Sequence, residues 1–131
     1  MKAARADGQA AMAVTDLGNL FGAVSFYKAC RGAGVKPILG VDLWMQPEGA
    51  DKEASRLLVL VQDSQGYLNL CELLSRGWMQ NVQRAQAWIR WEWLESLGEG
   101  LIVLSGAEHG MVGSSLLAGD VDRHATNAPP Y

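Results

Sequence analysis

Three places along this chain carry side chains that do chemistry. Asp16 follows the apolar run Ala11-Met-Ala-Val-Thr15, and Asp42 ends or follows Lys36-Pro-Ile-Leu-Gly-Val41. Glu108 and His109 follow a third apolar run, Leu101-Ile-Val-Leu104. If these runs are strands of one α/β sheet, ligands gather beyond their C-terminal ends. Carboxylates and an imidazole converging there would hold a divalent cation, since hard oxygens and imidazole suit magnesium, manganese or zinc. The same residues have plainer readings. Asp16 serves equally as a helix cap, Asp42 as the start of a solvated edge, and Glu108 with His109 as a helix N-terminus.

Other chemical signals are weaker. Gly106-Ala-Glu-His-Gly110-Met-Val-Gly113-Ser-Ser lies where backbone N–H groups could cradle a phosphate, but it is neither a P-loop nor a dinucleotide fingerprint. A tight strand-to-helix turn is the alternative reading. Five tryptophans (Trp44, Trp78, Trp88, Trp91 and Trp93) invite base stacking. With few basic residues among them, packing or a partner surface is the better reading. The spacing of Trp88 and Trp91 puts both on one face if their segment is helical. No GxSxG motif or Cys–His pair suggests a nucleophile.

The elements that must position these residues alternate. At 131 residues, 49% hydrophobic and 19% charged, the chain has the balance of one core-forming domain. A net charge of −3 argues against a general grip on DNA phosphates. No apolar run approaches the roughly 18–20 residues of a membrane-spanning helix. Cys30 and Cys71 read as reduced core residues of a cytoplasmic protein. After an Ala-rich segment at 2–10, a strand at 11–15 leads through Asp16 and Asn19, both capping candidates, into a helix. Its buried face is expected at Leu20, Ala23, Val24 and Tyr27, and Gly32 and Gly34 stop it.

Strands are expected at 36–41 and 57–61, the second central in the sheet, with a polar loop at 46–54 between them. A helical stripe follows at Tyr67, Leu70, Cys71, Leu74 and Trp78. Residues 80–90 read as a loop or surface helix, 92–97 as a short helix, 101–104 as a strand and 111–118 as a helix. The tail from 123 to 131 reads as frayed. The fold class is α/β with mostly parallel strands.

Four collinear blocks carry a resemblance. They are Ala13-Val-Thr-Asp-Leu-Gly-Asn-Leu-Phe-Gly-Ala-Val-Ser-Phe-Tyr-Lys-Ala-Cys30, Gly34-Val-Lys-Pro-Ile-Leu-Gly40, Gln65-Gly-Tyr-Leu-Asn-Leu-Cys-Glu-Leu-Leu-Ser-Arg76 and Glu99-Gly-Leu-Ile-Val-Leu-Ser-Gly106. Together they resemble the PHP (polymerase and histidinol phosphatase) domain of bacterial DNA polymerase III α subunits, in its replicative, proteobacterial version. The resemblance implies a fragment of a distorted (β/α)7 barrel. Residues 1–122 would be a partial PHP domain and 123–131 its tail. The upstream His-x-His strand and the later Asp/His strands of family members are absent from the sequence.

Departures from the family pattern bear on the chemistry the resemblance implies. Metal-binding relatives follow the Asp matching Asp16 with a ligating His, and here that position is Leu17. The acidic position on the next strand, usually Glu, is Asp42, a remnant ligand position, and Ala107 replaces a frequent Cys. A divalent metal site of the kind held by intact relatives is therefore not expected to assemble, and no cofactor is expected. The expected role is that of a scaffold in the polymerase α chain and a docking surface for the proofreading exonuclease subunit, with Trp88 and Trp91 as partner anchors. Competing readings are a residual metal-dependent phosphoesterase and a free-standing α/β phosphate-binding protein. As part of an opened barrel, the isolated chain is expected to associate through its unpaired edges.

Overall fold

The computed structural model describes residues 1–47, 54–106 and Gly110. Glu108, His109, Ala107, the expected helix at 111–118, the tail from 123 and most of the polar loop lie outside the described residues. Apolar alternation in the second strand sets the layers. Val41, Leu43 and Met45 are buried, while Asp42 and Trp44 between them face the other side of the sheet.

The elements run α1 (Lys2–Ala6), β1 (Ala11–Leu17), α2 (Ala23–Ala33), β2 (Lys36–Met45), β3 (Ser55–Val61), α3 (Ser64–Gln80), β4 (Val82–Gln83), β5 (Gln86–Ile89), α4 (Trp91–Leu97) and β6 (Leu101–Ser105). β2 is the hub. β1 pairs parallel with its first seven residues, Ala11 opposite Lys36 through Leu17 opposite Asp42. Further along β2, Trp44 and Met45 pair parallel with Trp88 and Ile89 of β5. Since β3 covers Gly40–Met45 from the other side, β1 and β5 share one edge of β2.

The α/β class is as expected, but the strand directions need correction. β3 is antiparallel to β2, β6 to β3 and β4 to β5, so only the two β2 pairings with β1 and β5 are parallel. The chain returns from β2 to β3 across residues 46–54, fewer than the dozen or so that a parallel crossover requires. β3 is interior, as expected, lying between β2 and β6. Among the described residues no pairing joins β6 to β1 or β4, so the ladder does not close.

Within 80–90, expected as a loop or surface helix, Gln80 ends α3 and residues 82–89 form a hairpin of β4 and β5, turning at Arg84 and Ala85 with φ of 52° and 61°. Two-residue turns with both φ positive usually carry Asn-Gly, so Arg-Ala gives no sequence signal. Trp88 thus lies on a strand and Trp91 opens a helix. The expectation that they share a helical face is wrong. Asn81 ties the hairpin down, donating to Gln46 Oε1 at 2.7 Å and to the Trp88 carbonyl at 3.0 Å.

The helical faces also differ from expectation. α2 buries Ala23 and Cys30 and leaves Val24 and Tyr27 exposed, while Leu20 precedes the helix and packs against the core. Gly34 ends α2 in the left-handed conformation, φ 75°, as expected, but Gly32 lies inside the helix. α3 buries Gly66, Asn69, Leu70, Leu73, Leu74 and Gly77, so its inner face is rotated from the expected stripe and Tyr67 and Trp78 lie outside it. Of the cysteines, Cys30 is buried, Cys71 is only half-buried, and both are free. The main core joins Val41, Leu43 and Met45 to Leu57, Val59, Leu70, Leu73, Leu74, Ile89 and Leu94.

The start of α3 is locked to the turn before β6. Asp63 caps the helix by accepting from Gly66 N–H at 2.8 Å, and Asn69 donates to the Glu99 carbonyl at 2.9 Å. A Cβ on Gly66 would stand 1.9 Å from the Gly100 carbonyl oxygen, so no side chain fits there. Gly66→Ala is expected to destabilise the fold by about 1–3 kcal/mol or more in urea titration, the scale of core overpacking. A loss within experimental scatter of zero would show that this helix start is not tightly docked.

Candidate functional site

The ladder between β1 and β2 decides where each acidic side chain goes. Asp16 is opposite Val41 and Leu17 opposite Asp42. Paired residues of a ladder share a face, and successive residues alternate. Asp16 therefore faces the helical layer with Val41. Its Oδ2 accepts from Gly22 N–H at 3.0 Å, just before α2 begins. The expectation that Asp16 caps the helix needs correction: its bond goes to the residue ahead of α2, tethering the loop, and no side chain caps the helix itself.

The rest of the β1–α2 loop is bonded in the same thorough way. Gly18, with φ 68°, donates its N–H to the Asp42 carbonyl at 2.9 Å, and its own carbonyl accepts from Trp78 Nε1 at 2.9 Å. Asn19 donates to the Leu17 carbonyl and accepts from Phe21 N–H. The loop is a fixed bridge between β1, β2 and α3.

Asp42 lies on the opposite face, three residues inside the end of β2 and not beyond it. The alternation that carries it also carries Gly40, Trp44, Thr15, Arg56 and Leu60; Thr15 and Leu60 side-chain atoms crowd the position a Gly40 Cβ would take. The Asp42 carboxylate is ion-paired with the Arg56 guanidinium through Oδ2 and Nη2. Arg56 also lies over the Trp44 ring, 5.7 Å from its centroid, and Trp44 packs against Trp88 at 5.9 Å between centroids. Trp88 is anchored by its indole N–H to the Gln83 carbonyl at 3.0 Å. Trp91 instead sits by a small polar cleft with Gln46, Pro47, Arg90 and Glu92, and packs against the core.

These residues do not fit a divalent-metal centre. Asp16 and Asp42 are on opposite faces, Asp42 already holds a cation, and the position opposite it is the apolar Leu17. Among the described residues no group of three His, Cys, Asp or Glu side chains is gathered for a metal.

A second feature had no single-residue signal in the sequence. Where β1 ends and β5 begins along the same edge of β2, a groove of about 800 Å³ opens. Leu17, Leu20, Phe21, Leu74, Trp78 and Met79 are among the residues that line it. Phe21 is 88% exposed and Met79 83%, so large apolar side chains stand in solvent at its rim. Cys71 also lines the groove; hydrogen bonding to this thiol, then its charge, then slight burial raise the Tyr67 phenol above its ordinary pKa of 10.0. No helix among the described residues is long and apolar enough to cross a membrane.

Comparison with known proteins agrees with the four blocks. The chain matches the PHP domain family over residues 1–129. It is 43% identical over 119 residues to the DNA polymerase III subunit alpha of Pseudomonas aeruginosa, covering 91% of this chain and 10% of that protein. The Escherichia coli K12 protein of the same name is 44% identical over 120 residues, with 92% and 10% covered. That of Neisseria meningitidis serogroup B is 41% identical over 128 residues, with 95% and 11% covered. The chain thus spans about a tenth of the length of these relatives.

The tether from Asp16 to the loop ahead of α2 is directly testable. Asp16→Ala is expected to cost about 1 kcal/mol of stability by chemical denaturation, the usual scale of a lost hydrogen bond. Asp16→Asn, which keeps an acceptor oxygen, is expected to cost much less. Equal losses in the two variants would contradict the tether.

Proposed function

Since the chain belongs to the PHP domain family, we propose that it serves DNA replication as the PHP portion of a polymerase III α chain, a scaffold and docking surface and not a hydrolase. The observation that carries the scaffold reading is the division of Asp16 and Asp42 between the two faces of the sheet, each already engaged. A metal-assisted hydrolase needs its ligands converging on one open coordination site. The phosphoesterase alternative has no such arrangement to draw on. In this reading the described sheet is a sector of a (β/α)7 barrel. It works in the cytoplasm, and no resident cofactor is required.

The proposed partner is the proofreading exonuclease subunit. The support is the groove between β1, α3 and the hairpin, whose rim holds Phe21 and Met79 in solvent. Large apolar anchors of this kind are what protein interfaces bury, and the groove draws on the aromatic stretch that begins at Trp78. Trp88 and Trp91 are half-buried and lie outside the groove's lining, Trp88 against Trp44 and Trp91 by the cleft with Arg90, so Phe21 and Met79 take over as the proposed anchors. DNA phosphates are left to other parts of the polymerase, because the chain has 11 basic against 14 acidic residues.

Phe21→Ser combined with Met79→Ser tests the docking role in the complete polymerase chain. Both side chains are largely free, so the melting temperature should hold. Affinity for the exonuclease subunit, by calorimetry or surface plasmon resonance, is expected to fall at least about tenfold, the effect of losing one interface anchor. Unchanged affinity would remove the docking role and leave the scaffold reading in place.

A further inference from the structure

We infer that Arg56 is a built-in counter-cation for Asp42, a permanent positive charge that holds this carboxylate on the open sheet face and keeps it from serving a metal ion. The placement follows from the antiparallel register of β2 and β3. Arg56 is opposite Trp44, and Asp42, two residues back along β2, is opposite Leu58. Asp42 and Arg56 are thus diagonal neighbours on one face, within reach of a long side chain.

The pair is set up as a fork. Nη2 of Arg56 donates to Oδ2 of Asp42. Two buried atoms beside this bond have no hydrogen-bond partner: Nε of Arg56, a donor, and Oδ1 of Asp42, an acceptor. They are the two halves of the second leg of a bidentate guanidinium–carboxylate contact. Each is the natural partner for the group the other leaves unsatisfied.

The guanidinium is also held from behind. Trp44 lies under it, Trp88 supports Trp44, and the Gln83 carbonyl fixes Trp88. Side-chain exposures of 27% for Arg56 and 20% for Asp42 put the pair in partial shelter, where charges are screened less than on an open surface. Arginine does not lose its proton in a protein, so the charge is constant. A divalent cation approaching Asp42 would meet that charge on the carboxylate it needs, and Leu17 opposite offers no ligand. The inference rests on this ion pair, independently of whether the exonuclease subunit docks in the groove.

A double-mutant cycle tests it in the complete polypeptide, read by thermal unfolding. Asp42→Asn and Arg56→Gln are each expected to lower the midpoint, because each leaves the other partner unpaired in a sheltered place. The double variant should lose clearly less than the sum of the two. Additive losses would overturn the proposal. If Arg56→Gln does not fold, the double variant decides: recovery of a cooperative transition is expected, and its absence counts against the pair. Zinc chloride added to the parent protein is expected to leave its midpoint unchanged. A zinc-dependent rise that Asp42→Asn abolishes would overturn the proposal as well.

Discussion

Seven residues of β1 lie in parallel register with seven of β2, and this ladder settles which side of the sheet every candidate side chain occupies. A strand alternates its faces with a period of two, so a slip of one residue would exchange them all. In the observed register Asp16 turns toward the helices and tethers Gly22 ahead of α2, while Leu17 and Asp42 fall on the other face. The Gly18 N–H continues the ladder to the Asp42 carbonyl, and Trp78 of α3 clamps the loop through the Gly18 carbonyl. Strand pairing, loop and helix packing thus agree on one register.

The two faces of the sheet are managed by different physics. On the helical side, Val41, Leu43, Met45, Leu57 and Val59 meet the leucines of α3, and burial of apolar surface holds the layers together. Close approach adds to this where glycine permits it, at Gly66 against Gly100 and at Gly77 against Ile89 and Ala87. The other face has no helix over it among the described residues and is organised by charge and aromatic stacking. Arg56 ties Asp42 to Trp44, and Trp44 ties the hairpin to the hub strand through Trp88. Ile102 and Leu104 of β6, opposite Leu60 and Leu58, leave 44% and 41% of their surface exposed.

Much of this was legible in the residues, and the misses have physical causes. Apolar runs located β1, β2, β3 and β6, and Gly34 marked the end of α2 because only that position needs a positive φ there. The buried face of α2 was misread because apolar residues occur on two adjacent stripes, and only packing selects Ala23 and Cys30 over Val24 and Tyr27. In α3 the inner face is centred by Gly66 and Gly77, which register as gaps in an apolar pattern although they mark its tightest contacts. The hairpin stayed hidden because Arg84-Ala85 lacks the residues its turn usually demands. At the site, the position of Asp16 and Asp42 near strand ends is legible in the sequence, but what each carboxylate binds is not. What a linear pattern does not display is that Arg56, fourteen residues beyond Asp42, is brought beside it by strand pairing.

The proposed scaffold role and the ion pair lead to one claim: this sheet keeps the Asp42 carboxylate neutralised from within. Elemental analysis tests that most directly, on the complete polypeptide purified without chelators, with its Asp42→Asn variant measured in parallel. The account predicts only trace zinc and manganese, equal in the two proteins. One or more ions of zinc or manganese per chain, lost when Asp42 is replaced, would contradict it.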